Sequence, residues 1–312
     1  MKEDIYETIT NQIIEELEKG VAPWVNDFEA PNTLPHNCVT GREYSGINIL
    51  ILWSAKQRHS YASDCWMTFK QAKSYDLNVR KGEKGTKICF VKTIHKKSED
   101  KNSDSCSEDS DNDKNIIPIM KTYTVFNLDQ LDGEQDKLDS LKPAKIETHE
   151  KGFLSYDEVI YFASKVGAKI SFNGDVPCYY PKLDEVSMPP IETCFSHKLS
   201  KSEAEAIYYA TALHEFTHWT GHKSRLDRDL GERFDKNAYA AEELVAELGA
   251  SFLCAHFGIK GNLQHVNYIA SWLEVLKGDK RAIFHASSKA QQATTYLLER
   301  HEGSLIEFKK AA

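Results

Sequence analysis

The sequence predicts an α+β fold in two domains, an N-terminal α+β domain with a β-hairpin and a mostly helical C-terminal domain with a small antiparallel sheet. Two observations lead to this prediction. The chain has 312 residues, which is enough for two domains of ordinary size. Strand-like segments gather in its first half, whereas apolar residues at helical spacing dominate the second. A polar, uneven stretch with Pro143 predicts a linker at 132–150, between domains at 1–131 and 151–312.

The composition excludes several classes of protein. The residues are 41% hydrophobic and 28% charged, as in ordinary globular proteins. No apolar run approaches the roughly 18 residues that cross a bilayer, and the polar N-terminus lacks the apolar core of a signal peptide, so we expect a cytoplasmic protein without a membrane partner. The seven cysteines contain no C-x-x-C pair, which predicts free thiols, mostly buried. A metal site would therefore depend on histidines and carboxylates.

Charge is divided unevenly along the chain. A net charge of −8 argues against non-specific nucleic-acid binding by the whole molecule. Residues 30–97 nevertheless carry twelve lysines and arginines against four acids, whereas residues 98–113 carry seven acids and one lysine. The acidic stretch has almost nothing to bury, so a disordered extension of the hairpin is predicted at 96–115. It acts either as a solvated spacer or as a flap that competes with nucleic acid for the basic surface.

The elements of the first half follow from local spacing. Apolar residues recur every four positions from Ile5 to Leu17, which predicts an opening helix, and Gly20 is placed to end it. A second helix is predicted at about 47–58, and "MTFKQAKSY" predicts a short third helix capped by Thr68. The stretches "VRKGEKGTKICFVKTI" and "MKTYTVFNLDQL" predict the two strands of the hairpin.

The second half predicts five helices and two short strands. The strands lie in "KISF" and "CYYPKLDEVSMPP". The stretch "SKSEAEAIYYATALHEFTHWTG" has possible caps at its start, no proline, and Gly221 at its end, all of which favour a helix. The helices are predicted at about 155–166, 201–220, 238–257, 263–277 and 279–300.

One of these helices carries the pattern of a metal site. His214 and His218 lie four residues apart, and Glu215 directly follows the first. On a helix the two imidazoles project from one face and can bind the same Zn²⁺. Glu215 beside them can take the proton of a bound water and pass it to a leaving amine. The alternative is a buried helix whose histidines only satisfy backbone or carboxylate partners.

A third metal ligand is expected on the next helix. Metzincins place a third histidine ten residues after the first, but this chain has Ser224 at that position. The stretch "NAYAAEELVAELGASFL" instead places Glu243 and Glu247 four residues apart on a mostly apolar helix, where two buried acids need a cation. This pattern resembles the gluzincins, and the resemblance implies Glu243 as the ligand and Glu247 as the support of a zinc-bound histidine. The reverse assignment stays open, and Glu242 is a third candidate.

Two further side chains lie near this pattern. Tyr239 precedes Glu243 by one helical turn and could stabilise an oxyanion, which makes it a catalytic candidate. His222 follows His218 by one turn, beyond Gly221, and is a candidate support of the metal ligands. A packing or loop role is the alternative for both.

The first half interleaves aromatic and basic residues between positions 22 and 97. Bases of single-stranded DNA can stack on aromatic side chains while lysines and arginines follow the phosphates. The stretch "RKGEKGTK" predicts a lysine-bearing turn, and the glycines of "TGREYSGIN" allow close approach of a backbone. Tryptophans and phenylalanines at such spacing also belong to protein cores, which is the alternative. The candidate DNA contacts are Trp24, Arg42, Tyr44, Asn48, Trp66, Phe69, Lys70, Lys81, Lys84 and Lys87.

Both halves contain longer stretches that resemble a known family. In the first half these are "LEKGVAPW", "TGREYSGIN", "WMTFKQAKSYDLNVRKGEKGTKICF" and "VFNLDQLDG". In the second half they are "YYPKLDEVSMP", "HEFTHWTGHKSRLDRD", "YAAEELVAELGASFL" and "SWLEVLKGDKRAIFHASSKAQQA". In this order they cover nearly the whole chain and resemble the ArdC-type antirestriction proteins of plasmids and other mobile elements. The first half is also similar to TraC-type plasmid primases.

The resemblance implies an N-terminal single-stranded-DNA-binding domain and a C-terminal zincin-like metallopeptidase domain with one Zn²⁺ per chain. It also implies that the protein protects incoming mobile-element DNA from host restriction, with a host restriction component as a candidate protein substrate. A non-catalytic alternative remains, in which a structural zinc ion holds the helices together and the protein protects single-stranded DNA by occupying it.

Overall fold

The computed structural model describes residues 4–25, 33–95, 116–141, 156–194, 200–234, 237–259 and 268–303. Within these ranges the chain is a mixture of helices and small sheets, which confirms the predicted α+β class. The predicted acidic extension at 96–115 and the second part of the predicted linker lie outside the described residues. Among the residues described, no helix is long and apolar enough to cross a membrane.

The N-terminal part is built around a four-stranded sheet. Its elements are α1 (Ile5–Glu18), β1 (His36–Asn37), α2 (Ile47–His59), β2 (Cys65–Thr68), α3 (Phe69–Ser74), β3 (Asn78–Val79), β4 (Thr86–His95), β5 (Ile116–Asn127), β6 (Leu131–Asp132) and α4 (Gln135–Leu141). The sheet has the order β1-β2-β5-β4, and β3 pairs separately with β6. The predicted hairpin is the antiparallel pair of β4 and β5, in register from Thr86 opposite Val125 onward. The predicted short helix α3 begins at a capping box formed by Thr68 and Gln71.

The C-terminal part is mostly helical. Its elements are α5 (Tyr156–Val166), β7 (Lys169–Ser171), β8 (Cys178–Tyr180), β9 (Glu185–Ser187), α6 (Lys201–Thr220), α7 (Gly231–Phe234), α8 (Ala238–Phe257), α9 (Ile269–Gly278) and α10 (Ala282–Glu302). The three strands form a sheet of order β7-β9-β8. The stretch predicted to contain one strand forms two, β8 and β9, which pair antiparallel. Because β7 runs parallel to β9, the small sheet is mixed and not antiparallel as predicted.

The largest apolar cluster crosses the predicted boundary between the domains. It buries α1 and α2 against α8, α9 and α10, and the ring centres of Trp53 and Phe252 lie 5.9 Å apart within it. A second cluster joins α5 and α6 to the three-stranded sheet. The boundaries at 1–131, 132–150 and 151–312 stay a prediction, since the N-terminal helices share a core with the C-terminal ones.

Two local features differ from the sequence expectation. Part of the predicted linker forms α4, because Leu141 at its end completes a buried N-terminal cluster. Cys38 and Cys65 form a disulfide, with their Cα atoms 5.0 Å apart, so the prediction of free thiols is wrong for these two. The parallel pairing of β1 with β2 brings them together, which their separation of 27 residues does not reveal. Cys89 and Cys254 are buried free thiols, as predicted.

Candidate metal centre and candidate nucleic-acid interface

Helices α6 and α8 pack closely enough to bring their polar side chains together. The N-terminus of α6 is fixed by a capping box, in which the side chains of Ser200 and Glu203 each accept from the backbone N–H of the other. Gly249 of α8 faces Thr217 of α6, and a Cβ atom at position 249 would lie only 2.6 Å from Thr217 Cγ2. The glycine therefore permits an approach that any larger residue would obstruct.

Three donor groups converge between these two helices. The Nε2 atoms of His214 and His218 lie 3.1 Å apart. The Glu243 carboxylate lies 3.5 Å from His214 Nε2 and 3.6 Å from His218 Nε2. Ligands about 2.0–2.2 Å from a tetrahedral ion stand about 3.3–3.6 Å from one another. Two of the three separations lie within this range, and the Nε2–Nε2 separation of 3.1 Å lies just below it. The donor set of two imidazoles and one carboxylate suits a divalent metal.

The outer nitrogen of each histidine faces another carboxylate. Glu247 is fully buried and places Oε2 3.6 Å from His214 Nδ1. On the other side, His218 Nδ1 lies 3.1 Å from Glu242 Oε1. The guanidinium of Arg228 holds the same Glu242 carboxylate through two hydrogen bonds, of 2.8 and 2.5 Å. Such partners fix the orientation and the tautomer of metal-binding histidines.

Burial and the surrounding carboxylates set the protonation of the two imidazoles. Burial opposes a charge on His218, but Glu242 and Glu243 outweigh it and raise the pKa of His218 to about 10. Burial is likewise outweighed at His214, whose pKa is raised by Glu243 and Glu247. Although burial alone would raise the pKa of Glu243, the two imidazoles hold it well below its ordinary value. The centre therefore favours positive charge, which a metal ion supplies in place of protons.

Glu215 lies at the border between this centre and an edge strand. It is 8% exposed, and its Oε2 accepts a 2.7 Å hydrogen bond from the backbone N–H of Tyr179 in β8. In the described part of the chain β8 is an outer strand of its sheet. Its neighbour Cys178 is half-buried, and burial together with the charges of Glu215 and Glu243 raises the pKa of its thiol. One strand of the small sheet thus runs beside the candidate metal centre.

An ion pair fastens this strand to the loop after α6. Arg225 binds the Asp184 carboxylate at 2.9 Å and donates to the Tyr179 hydroxyl at 3.2 Å. Its guanidinium lies 3.8 Å from the ring centre of Trp219. The hydrogen bond from Arg225 lowers the pKa of Asp184 to about 2, and burial together with Asp184 raises the pKa of Tyr179 to about 12. These contacts hold the backbone of Tyr179 next to Glu215.

The structure treats the two remaining candidates of the metal site differently. Tyr239 is 65% exposed, and its hydroxyl lies 3.1 Å from that of Tyr268. The hydrogen bond with Tyr268, burial and the Glu243 carboxylate raise the pKa of Tyr239, so its hydroxyl keeps its proton near the Glu243 carboxylate. His222 instead contacts Ser224 Oγ through Nδ1 at 2.8 Å and lies outside the group of three converging donors.

Three of the predicted nucleic-acid contacts are corrected by the structure. Trp66 is fully buried and Trp24 is 3% exposed, so neither ring offers a face to a base. Trp24 packs instead against Trp272, with ring centres 5.7 Å apart. Asn48 is also buried, and its amide exchanges two hydrogen bonds of 2.8 Å with the backbone of Cys89. These three residues stabilise the core and the outer edge of β4.

The other predicted nucleic-acid contacts remain accessible. Phe69 is 50% exposed and Tyr44 is half-buried. The basic candidates are all exposed, and none of them forms an ion pair with another residue that the structure describes. They are Arg42, Lys70, Lys81, Lys84 and Lys87. Cations without an acidic partner are available to phosphates, and these contacts stay a prediction.

Several residues at the two sites escape the sequence analysis. Arg228 is not identified at all, and Glu242 is weighed only as a ligand, although it contacts the outer nitrogen of His218. The adjacent acids Glu242 and Glu243 could have indicated this second role. Side chains at neighbouring helix positions point about 100° apart, so that the two carboxylates can contact different partners. At the hairpin, Tyr123 is not considered, although it is as exposed as Phe90 beside it.

Comparison with known proteins agrees with this organisation. Residues 3–126 match the N-terminal domain of the anti-restriction factor ArdC, and residues 157–289 match the zincin-like metallopeptidases. The chain is 37% identical to the protein y4eC of Sinorhizobium fredii, over 94% of this chain and 91% of that protein. It is 35% identical to a DNA primase TraC of Escherichia coli over 95% of this chain, which spans only 20% of that primase.

Two crystal structures of the antirestriction protein ArdC from plasmid R388 share this fold. Both are 37% identical to this chain and cover 96% of it, with 98% of their own chains matched. The metal-free structure superposes with a TM-score of 0.77, and the Mn(II)-bound structure with 0.73. The bound ion in that relative and the donor set found here both point to a divalent metal. The chain therefore belongs to the ArdC family of antirestriction proteins, with an N-terminal ArdC domain followed by a zincin-like domain.

Proposed function

We propose that this antirestriction-family protein acts in the cytoplasm, binds single-stranded DNA through its N-terminal part and uses one Zn²⁺ at a peptidase-type site. The observation that carries the proposal is the convergence of His214, His218 and Glu243 beside Glu215. Catalytic zinc sites have three protein ligands and an open position, whereas structural sites have four. Within the described ranges no fourth protein donor joins the three, which favours a catalytic centre.

The residues around the centre have distinct roles in peptide hydrolysis. The metal, when bound, lowers the pKa of its water and polarises the substrate carbonyl. Glu215 takes the proton of the attacking water and gives it to the leaving amine. The Tyr239 hydroxyl, which its raised pKa keeps protonated, donates to the developing oxyanion. Glu242 and Glu247 hold the two imidazoles in place.

An extended peptide can reach these groups along the small sheet. The outer edge of β8 lies beside Glu215, and extended peptides bind to such edges by adding a strand. The substrate we propose is a protein component of the host restriction machinery, whose loss would protect incoming DNA. Its sequence preference would depend on the side chains next to β8, where Cys178 already borders the centre.

Binding of single-stranded DNA is supported by the exposed basic residues of the N-terminal part. Ten lysines and arginines stand against four acids between residues 33 and 95. The match to the ArdC N-terminal domain and the similarity to a DNA primase favour DNA as the ligand. Because the attraction is electrostatic, the affinity for single strands should fall steeply with salt concentration.

The substitution Glu215→Ala tests the catalytic part of the proposal. The variant should keep its zinc and its affinity for DNA, but it should lose proteolysis and the protection of incoming DNA in a restricting recipient. His218→Ala provides a variant that loses the metal itself. Glu205→Ala is the matched control, since Glu205 pairs with Lys201 near the start of the same helix and should be replaceable without loss.

The opposite result would support the non-catalytic alternative. If Glu215→Ala retains zinc and protects DNA as well as the wild-type chain, the peptidase assignment is wrong. Protection would then come from occupancy of the DNA, with the metal serving to hold α6 and α8 together. Elemental analysis of the purified protein decides whether the ion is zinc and whether one is bound per chain.

A further inference from the structure

The hairpin of β4 and β5 carries an exposed aromatic pair that neither the metal centre nor the predicted DNA contacts explain. Phe90 is 45% exposed and Tyr123 is 48% exposed, and their ring centres lie 5.3 Å apart in an edge-to-face arrangement. We infer that these two rings form a stacking platform for the bases of single-stranded nucleic acid, with Lys121 beside them to bind a phosphate. The inference rests on the proposed DNA binding and gives it a specific surface.

The register of the hairpin shows which side chains share this face. Tyr123 lies opposite Ile88, and the next pair on the same side is Phe90 opposite Lys121. Side chains of directly opposed residues point to the same face, and every second residue along a strand does so as well. Toward the end of the hairpin where Thr86 lies opposite Val125, the side chains of Ile88 and Val125 on this face are buried in an apolar cluster. The aromatic pair therefore lies directly beside the buried part of this face, at the point where the face becomes exposed to solvent.

Phe69, the most exposed of the aromatic residues predicted to contact DNA, is a poorer stacking platform. Phe69 packs against Phe126, with ring centres 6.5 Å apart, and the Lys73 amine lies 5.7 Å from the centre of its ring. Phe126 follows Val125 in β5, so it points to the opposite face of the sheet. Phe69 and the pair of Phe90 and Tyr123 thus belong to different surfaces, which mutations can separate.

The charge around the pair favours a nucleic acid over other occupants. Lys121 is exposed and has no acidic partner within the described part of the chain, and residues 33–95 carry ten lysines and arginines against four acids. The acidic stretch 98–113, which joins the two strands, is the competitor that a nucleic acid would displace. A second copy of the chain would bring like charges together on this face, which opposes association. Exposed aromatic pairs of this kind mark binding surfaces, and bases offer flat faces only where they are not stacked within a duplex. A single strand satisfies both the rings and the lysine.

The experiment measures the binding of a dye-labelled oligothymidylate to the full chain by fluorescence anisotropy. Phe90→Ala and Tyr123→Ala should each raise Kd by about 5- to 150-fold, because a base stacked on an aromatic ring contributes about 1–3 kcal/mol. Tyr123→Phe keeps the ring and should bind like the wild-type chain. Lys121→Gln should reduce the slope of log affinity against log salt by about 0.7, whereas the aromatic variants should leave that slope unchanged.

Tyr161→Ala is the matched control, since Tyr161 is 54% exposed on α5, outside the hairpin. Thermal unfolding of each variant separates a binding effect from a loss of structure. If the wild-type chain binds the oligonucleotide and the Phe90 and Tyr123 variants bind equally well, the inference is overturned while the proposed DNA binding stands. An altered oligomeric state with unchanged binding would also overturn it, in favour of a protein interface. If the wild-type chain does not bind the oligonucleotide at low salt, the proposed DNA binding is wrong, and the inference that rests on it is wrong as well.

Discussion

Replacement of Gly249 by alanine tests the close packing of α6 against α8 on which the candidate metal centre depends. The new methyl group would lie 2.6 Å from Thr217 Cγ2 and 2.9 Å from Thr217 Oγ1. Rotation of the threonine side chain by about 120° still leaves one of its two heavy atoms in one of these positions, so it does not remove the overlap. Its hydroxyl is also held by the Leu213 carbonyl at 2.8 Å. The helices themselves must therefore move apart.

Two opposing effects determine the size of the destabilisation. Overpacking a buried position costs about 1–3 kcal/mol, whereas alanine is favoured over glycine inside a helix by up to about 1 kcal/mol. With the full gain in helix propensity, the free energy of unfolding should fall by up to about 2 kcal/mol. Because Glu243 belongs to α8 and both histidines belong to α6, the same displacement lengthens the distances between the donors and weakens metal binding.

Urea unfolding of the metal-free chain measures the first effect, and competition with a chelator measures the second. Adding Thr217→Ala makes room for the new methyl group, so the double variant should be destabilised by less than the sum of the single variants. Gly278→Ala is the control, since an added Cβ at this position in α9 meets no atom within 4 Å. A Gly249→Ala chain as stable as the wild type, with additive effects in the cycle, would refute the reasoning.

Three further predictions concern the two candidate sites. The apparent affinity for Zn²⁺ should rise between about pH 6 and about pH 8, because the metal must displace the proton that a pKa of about 10 keeps on His218. Competition with a chelator across this pH range measures the affinity, and an affinity that does not change with pH would contradict the prediction. Glu242→Ala removes the carboxylate that orients the ring and raises this pKa, so in the same assay the affinity near pH 8, where proton competition is weakest, should fall about 10- to 100-fold and the pH dependence should weaken. Replacing three exposed lysines by glutamine should reduce the salt slope of DNA binding by about 0.7 for each phosphate that is no longer neutralised, and an unchanged slope would place the DNA site elsewhere. These lysines are Lys81, Lys84 and Lys87.

The helices α6 and α8 show how far the local sequence determines this fold. Their observed bounds, Lys201–Thr220 and Ala238–Phe257, agree with the predicted ranges, because caps, glycine stops and apolar spacing act within a few residues. Strand partners depend on residues that are distant in sequence. The sequence therefore indicates the strands of the small sheet without showing that β7 runs parallel to β9.

The same distinction applies to the candidate metal centre. His214, Glu215 and His218 can be recognised from the sequence because the geometry of a single helix brings them together. The role of Glu242 cannot be recognised in this way, since it depends on the packing of α8 against α6 and on the approach of Arg228 from a loop. Glu242 is bound by both a histidine and an arginine, so only the tertiary structure shows what it orients.

Exposure of aromatic side chains is the least predictable property of the N-terminal part, and α2 explains why. This helix covers one stretch of the sheet, where Asn48 binds the backbone of Cys89 in β4, and it also packs Trp53 against Phe252 of α8. The position of α2 leaves Tyr123 uncovered farther along the hairpin. Because α8 also carries a proposed metal ligand, the hairpin and the metal centre are attached to one core. A variant that loosens this core would weaken both DNA and metal binding, whereas a variant of Tyr123 should affect DNA binding alone.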